Sequence, residues 1–387
     1  MPAPAPGAVI RELRTTALTA QPQTADGVLP EWAEAAVSRP TRPPWPETQR
    51  RYVIEVHDSD GAVGMFGPCS AAVIEVIRDQ IAPALVGCPV DAWRWLSRLP
   101  VIGRHCSGPH FRLAVSAVEL ALWDLRSRRA CRTVADLLGG RYRDAVPAYA
   151  TAFGIDVGHP LAPDIARWIV ESRFWGQKWR LTGVDRDESP RADIGRLHRL
   201  REAIGPDARL MIDGIGRWSS AYLLRLLPAL VEADVTWVEE PLAGDSPAWP
   251  GVHVPLAAGE HAYDPEDQIA TIVSGRVQVW QPDVAWHGGL THALAMVDLA
   301  ASCGLPSFPH ASSLPAALHL AALCDDATIP AVEYHLTLDP RRHHVLEQPP
   351  VPAGGLLPLP DGVGLTSRYR VANDDRLTLT VGGIRAS

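Results

Sequence analysis

Three acidic residues each close a short apolar run: Asp213 ends 210–213, Glu239 ends 236–239 and Glu260 ends 256–260. The series continues with Asp283, His310 and Glu333, each again at the end of such a run. The gaps between successive members are 26, 21, 23, 27 and 23 residues. Each gap is about the length of one strand plus a crossover helix. Ionisable groups at the C-terminal ends of consecutive parallel strands converge on one mouth if the strands close, and a (β/α)8 barrel keeps its active site there. Three gathered carboxylates repel one another unless a cation neutralises them, and an all-oxygen donor set suits a hard divalent ion such as Mg2+. Taken singly, an acid at a strand end is more often a helix N-cap; three in register reverse that reading.

One further residue joins them. Of the 36 Lys and Arg residues, only Lys178 is a lysine, and it lies on an expected strand, 176–181. Lysine can act as a base or a compact cation, whereas arginine holds its proton.

Eight short apolar segments alternate with amphipathic helical stretches: 146–152, 176–181, 208–213, 235–239, 255–259, 277–281, 305–309 and 330–334. That pattern predicts an α/β fold with a modified TIM barrel. Before it come a strand-like stretch near 8–19, a β-hairpin over 51–66 turning at an Asp-Gly step, and helices over 70–87 and 113–127. At 387 residues the chain exceeds the roughly 250 of a single barrel, leaving room for a second domain. The expected division is an N-terminal α+β domain over 1–144, the barrel over 145–345, and a segment over 346–387 that returns to the N-terminal domain.

Composition narrows the function. A 47% hydrophobic, 21% charged chain with net charge −8 is globular, and it has no long basic run, so nucleic acid and anionic membrane are not expected partners. Six cysteines show no CxxC spacing and read as reduced thiols. The start lacks the pattern of a signal peptide, and no apolar run reaches about 18 residues. A cytoplasmic location is the expectation.

With these positions laid out, the chain resembles the enolase superfamily, and within it the mandelate racemase-like branch. The resemblance rests on the hairpin 51–66, the motifs at 121–125, 137–140 and 237–241, then 258–261, 281–291 and 308–310. It implies that the domain over 1–144 is a capping domain. It also implies Asp213, Glu239 and Glu260 as Mg2+ ligands, Asp283 and His310 as a catalytic dyad, and Glu333 on the last functional strand. Racemases of this branch carry a Lys-Xaa-Lys pair; here the segment is Lys178-Trp179-Arg180, so Arg180 stands where a second base would be. Members with only the dyad are typically acid-sugar dehydratases, and the motifs around 259–261 and 283–291 look most like the rhamnonate dehydratase group. A second departure is Ile215, where many relatives have Asn.

The expectation is therefore a Mg2+-dependent dehydratase giving a 2-keto-3-deoxy acid, with His261 and His110 as substrate-binding candidates. The alternatives are an epimerase, racemase or cycloisomerase of the same superfamily, or a non-catalytic metal-binding barrel. The substrate is expected to be a small carboxylic acid, and the resemblance implies a homo-oligomer.

Overall fold

The computed structural model describes residues 7–18, 28–38, 51–91, 107–181, 190–242, 254–365 and 368–369. Outside them lie Trp45 and the Pro-rich stretch 40–46, expected from the sequence to line or cover the cap, His105, expected to reach the mouth from the loop before the 113–127 helix, the isolated strand expected near the C-terminus, and parts of 14–48 and 100–112, the stretches expected to set substrate choice.

Three antiparallel strands, β1 (Ile10–Leu18), β2 (Arg51–Asp58) and β3 (Val63–Ser70), form a sheet in that order. The β2–β3 turn is held by Asp58, whose Oδ1 accepts from the N–H groups of Asp60 and Ala62 at 2.9 and 2.8 Å. Helix α1 (Ala71–Val76) starts where Ser70 Oγ accepts from Val73 N, then runs through a π-helical turn to Leu85. The long helix α2 (Pro109–Ala130) is buried almost all round. Its Asp124 accepts from Met65 N of β3 and from Leu365 N of the C-terminal segment, at 2.9 and 2.8 Å. Tyr369 Oη donates to Gly67 O at 3.1 Å. Leu365 and Tyr369 are thus tied to the N-terminal domain.

The second sheet is parallel in β4 (Ala145–Thr151), β5 (Gln177–Arg180), β6 (Leu210–Asp213), β7 (Trp237–Glu239), β8 (Leu256–Ala258), β9 (Val279–Trp280) and β10 (Val332–His335), and a short strand, β11 (Leu356–Pro358), pairs antiparallel with β4, so part of the segment after 345 lies on the barrel. β10 pairs with β4, so the ends of the series meet. The segment expected as a strand at 305–309 makes only single parallel bridges, Trp280 with Ser307 and Asp283 with His310. Pro306 and Pro309 explain this, because neither has an N–H for a ladder. The architecture is the enolase fold: a capping domain on a parallel barrel.

Side chains on a strand alternate faces, and that rule stacks the barrel interior in layers. Tyr149, Met211, Trp237, Ala257, Val279, Phe308 and Ala331 pack together as a dry floor. Two residues further along the same strands come Thr151, Asp213, Glu239, Gln281, His310 and Glu333, with Lys178 on β5 beside them. Glu260 breaks this parity, lying three residues after Ala257. Gly259 makes the change: its φ is +141°, and a Cβ there would meet Trp280 Cζ3 at 2.4 Å.

Candidate active site

Lys178 is the hub. Its side chain is 2% exposed, and Nζ lies 2.5 Å from Glu239 Oε1, 2.8 Å from Glu333 Oε1 and 3.7 Å from Asp213 Oδ2. Burial opposes its charge, but Glu239 and Glu333 hold its pKa well above the ordinary value. Asp213 and Glu239 face each other in register on adjacent strands. Asp213 Oδ1 accepts from Ile215 N at 2.7 Å, and Glu239 Oε2 accepts from Gln281 Nε2 at 2.6 Å.

Burial pushes all three expected metal ligands up, Asp213 to about 6 and Glu239 and Glu260 to about 7. Lys178 works against this for Asp213 and Glu239, His310 for Glu260, and neighbouring carboxylates add to the rise. A charge deficit of this kind, in an oxygen-only set, fits a hard divalent cation.

Glu260 stands apart from the other two. Its Oε2 lies 3.3 Å from His310 Nε2 and its Oε1 3.3 Å from His261 Nδ1. Among the described residues, the groups whose ligating atoms lie within 4.8 Å of one another are His310–Glu333–His335 and Glu240–Glu260–His261.

His310 Nδ1 donates to Asp283 Oδ2 at 2.6 Å, which orients the ring and leaves Nε2 toward the mouth. Asp283 is itself fixed by Ser312 Oγ at 2.7 Å and by the N–H of Ala285 at 2.8 Å. Burial disfavours a charged His310, yet Glu260 and Asp283 raise it to about 10. Glu333 accepts from Thr151 Oγ1 at 2.5 Å as well as from Lys178. Burial opposes its charge, but His335 and Lys178 hold it well below the usual carboxylate value.

Arg180 is half-buried at the end of β5, its Nε without a hydrogen-bond partner and its guanidinium 5.6 Å from the centre of the Phe153 ring. It pairs in register with Asp213. His261 donates to Glu240 Oε2 at 2.6 Å, and that bond chiefly raises its pKa to about 9. The ring remains half-exposed beside Trp286 and Tyr263. His110 is not brought to the cluster. It lies exposed on the first turn of α2, a turn docked on the barrel through Arg112 Nε and Asp264 Oδ1 at 2.8 Å.

Several residues of the site carried no signal of their own in the sequence. Gln281 and His335 were accessible from parity, being two residues before Asp283 and two after Glu333. His287 and Glu119 were not. His287 is fully buried, accepts from Asp283 N at 3.2 Å and donates to Glu260 O at 3.0 Å, tying the dyad to a ligand strand.

Residues 37–139 match the N-terminal domain of the mandelate racemase/muconate lactonizing enzyme family, and 146–370 match the enolase C-terminal domain-like family. The chain belongs to the enolase superfamily, in its mandelate racemase/muconate lactonizing enzyme branch. It is 33% identical over 273 residues to an L-rhamnonate dehydratase of Saccharopolyspora erythraea, covering 66% of each chain. It is 29% identical over 267 residues to a D-galactarolactone cycloisomerase of Agrobacterium fabrum, covering 65% of this chain and 70% of that one. Among solved structures, rhamnonate dehydratase of Gibberella zeae complexed with Mg superposes with a TM-score of 0.78 at 23% identity, over 98% of each chain. A racemase of Streptomyces coelicolor A3(2) with bound magnesium gives 0.75 at 25% identity, over 96% of this chain and 100% of that one. Among the described residues no helix is long and apolar enough to cross a membrane.

Proposed function

We propose that this protein is a Mg2+-dependent dehydratase of a sugar acid, converting it to the 2-keto-3-deoxy acid. The observation that carries the reading is a single oriented base, His310 on Asp283, with an arginine where racemases of this branch keep a second lysine.

Asp213, Glu239 and Glu260 are the residues that would hold Mg2+, which supplies positive charge to cancel these carboxylates and to offset the two charges of an enediolate. With Glu260 compensated, His310 loses the strongest pull that keeps it protonated, and Nε2 is free to take the C2 proton. The electron pair of the C2–H bond moves toward the substrate carboxylate, whose charge faces Lys178 and Arg180. Protonated His310 then returns that proton to the 3-hydroxyl, the C3–O bond breaks, and water leaves. The resulting enol becomes the ketone at C2. Asp283 balances the imidazolium throughout and keeps Nδ1 protonated. His261 lines the half-open side of the mouth and contacts the substrate there.

The same atoms support a second reading, a sugar-acid cycloisomerase, which the Agrobacterium relative favours; a keto acid formed from a cyclic anhydro acid or lactone by breaking its ring C–O bond, with no loss of water, is its signature. His310→Asn tests the base directly. Turnover should drop by at least about a thousandfold with the fold intact. Full turnover in that variant would end the proposal.

A further inference from the structure

The backbone ladder between β8 and β9 breaks off where the site begins. Its last bond runs from Gln281 N to Ala258 O at 3.0 Å. A parallel ladder repeats every two residues, so the next bond would join Asp283 N to Glu260 O. Instead the imidazole of His287 stands between them, Nδ1 accepting from Asp283 N at 3.2 Å and Nε2 donating to Glu260 O at 3.0 Å. An N–H only donates and a carbonyl only accepts, so the two contacts require the neutral ring with its proton on Nε2. The ring is fully buried, its centre 6.0 Å from that of Trp280. Its loop is anchored on α2, where Gly288 N donates to Ser116 Oγ at 2.7 Å.

An inserted ring spaces the strands as well as joining them. Direct closure of the ladder would bring them to the ordinary separation of about 4.8 Å. The imidazole holds them further apart at the mouth and leaves neither backbone group orphaned. The residues on its two sides carry the chemistry: Glu260 Oε2 lies 3.3 Å from His310 Nε2, and Asp283 orients the same ring through Nδ1 at 2.6 Å. Reacting groups tolerate little displacement, and 1 Å can cost on the order of a hundredfold in rate. We propose that His287 is a positioning residue that sets Glu260 through one ring nitrogen and Asp283 through the other. Its purpose rests on the reading of Glu260 as a metal ligand and His310 as the base.

Two substitutions separate the halves. Asn puts its amide oxygen where Nδ1 stands and keeps the bond from Asp283 N; Gln puts its amide nitrogen where Nε2 stands and keeps the bond to Glu260 O. In His287→Asn the calorimetric Kd for Mg2+ should rise by at least about tenfold, while the low-field NMR signal of the His310 Nδ1 proton stays as in wild type. In His287→Gln that signal should shift or broaden, and the Kd should stay within about threefold of wild type. His310→Asn, which lacks the proton, assigns the signal. If one variant does not fold, the other still gives its own half of the result. Two readouts that move together show a packing role alone, and two that stay fixed show no role; either outcome overturns the proposal. Neither readout needs a substrate, so failure of the dehydratase reading shows separately, as wild type that forms no keto acid. Wild type that binds no Mg2+ refutes the metal reading, and the NMR signal in His287→Gln still decides the Asp283 half.

Discussion

Replacing Glu119 with alanine should destabilise the protein by about 3–4 kcal/mol, although the residue lies on the capping domain and touches none of the acids. Helix α3 (Leu290–Ser302) begins after Gly289, which has no side chain to cap it. Glu119 of α2 does so from across the domain boundary. Its carboxylate accepts from Leu290 N at 2.8 Å, Thr291 N at 3.1 Å, Thr291 Oγ1 at 2.5 Å and Trp123 Nε1 at 2.7 Å. Without it, Trp123 Nε1 and Thr291 Oγ1 still have each other at 3.0 Å. The two backbone donors are orphaned, at about 1–2 kcal/mol each, and loss of a negative charge at a helix N-terminus adds up to about 1 kcal/mol. The recovered solvation of the carboxylate offsets part of this, since burial alone already raises its pKa.

The effect should reach function as well. The loop Glu119 anchors runs back through Gly288, whose N–H donates to Ser116 Oγ at 2.7 Å, and His287 to Asp283. Urea denaturation at constant slope is the assay. Glu232→Ala, at a side chain 74% exposed, is the control and should stay within about 0.5 kcal/mol. A Glu119→Ala loss below about 1 kcal/mol would refute the reasoning.

Three other outcomes follow from the same geometry. Ile215 is β-branched with φ +46°, so Ile215→Asn should stabilise by about 1 kcal/mol in the same assay. Lys178→Met strands Glu239 and Glu333 in the barrel and should cost about 3–5 kcal/mol at pH 8. The cost should shrink toward pH 6, where Glu239, at about 7, takes up a proton; a pH-independent loss contradicts it. Asp213, Glu239 and Glu260 carry raised values, so the stability they contribute without metal is present at low pH and lost as pH rises through about 6 to 7. Protons therefore compete with Mg2+, and its calorimetric Kd should weaken by on the order of a hundredfold from pH 8 to pH 6; an unchanged Kd places the metal elsewhere.

Much of the site was legible because a parallel barrel imposes two simple periods, one strand-helix unit per acid and two residues per inward side chain. Asp213, Glu239, His310 and Glu333 obey both. Glu260 obeys only the first, and its placement depends on a glycine conformation that no acid-spacing rule contains. The strand expected at 305–309 failed because its apolar pattern said nothing of the missing N–H groups of two prolines in a ladder. Glu119 was hidden for the opposite reason: an acid inside an apolar helical run reads as an exposed interruption until the partner helix end is in view. His110 sits near the mouth in sequence terms, but the docking of α2 on Asp264 leaves it exposed on the first turn.

The most direct measurement is incubation of aldonic and aldaric acids with the protein in D2O, with Mg2+ or with EDTA, followed by NMR for C2 deuteration and for 2-keto-3-deoxy acid. A Mg2+-dependent keto acid from one or a few acids, absent with EDTA and absent in His310→Asn, is the predicted result. Deuterated or epimerised acid without any keto product would contradict the dehydratase assignment while leaving His310 as the base.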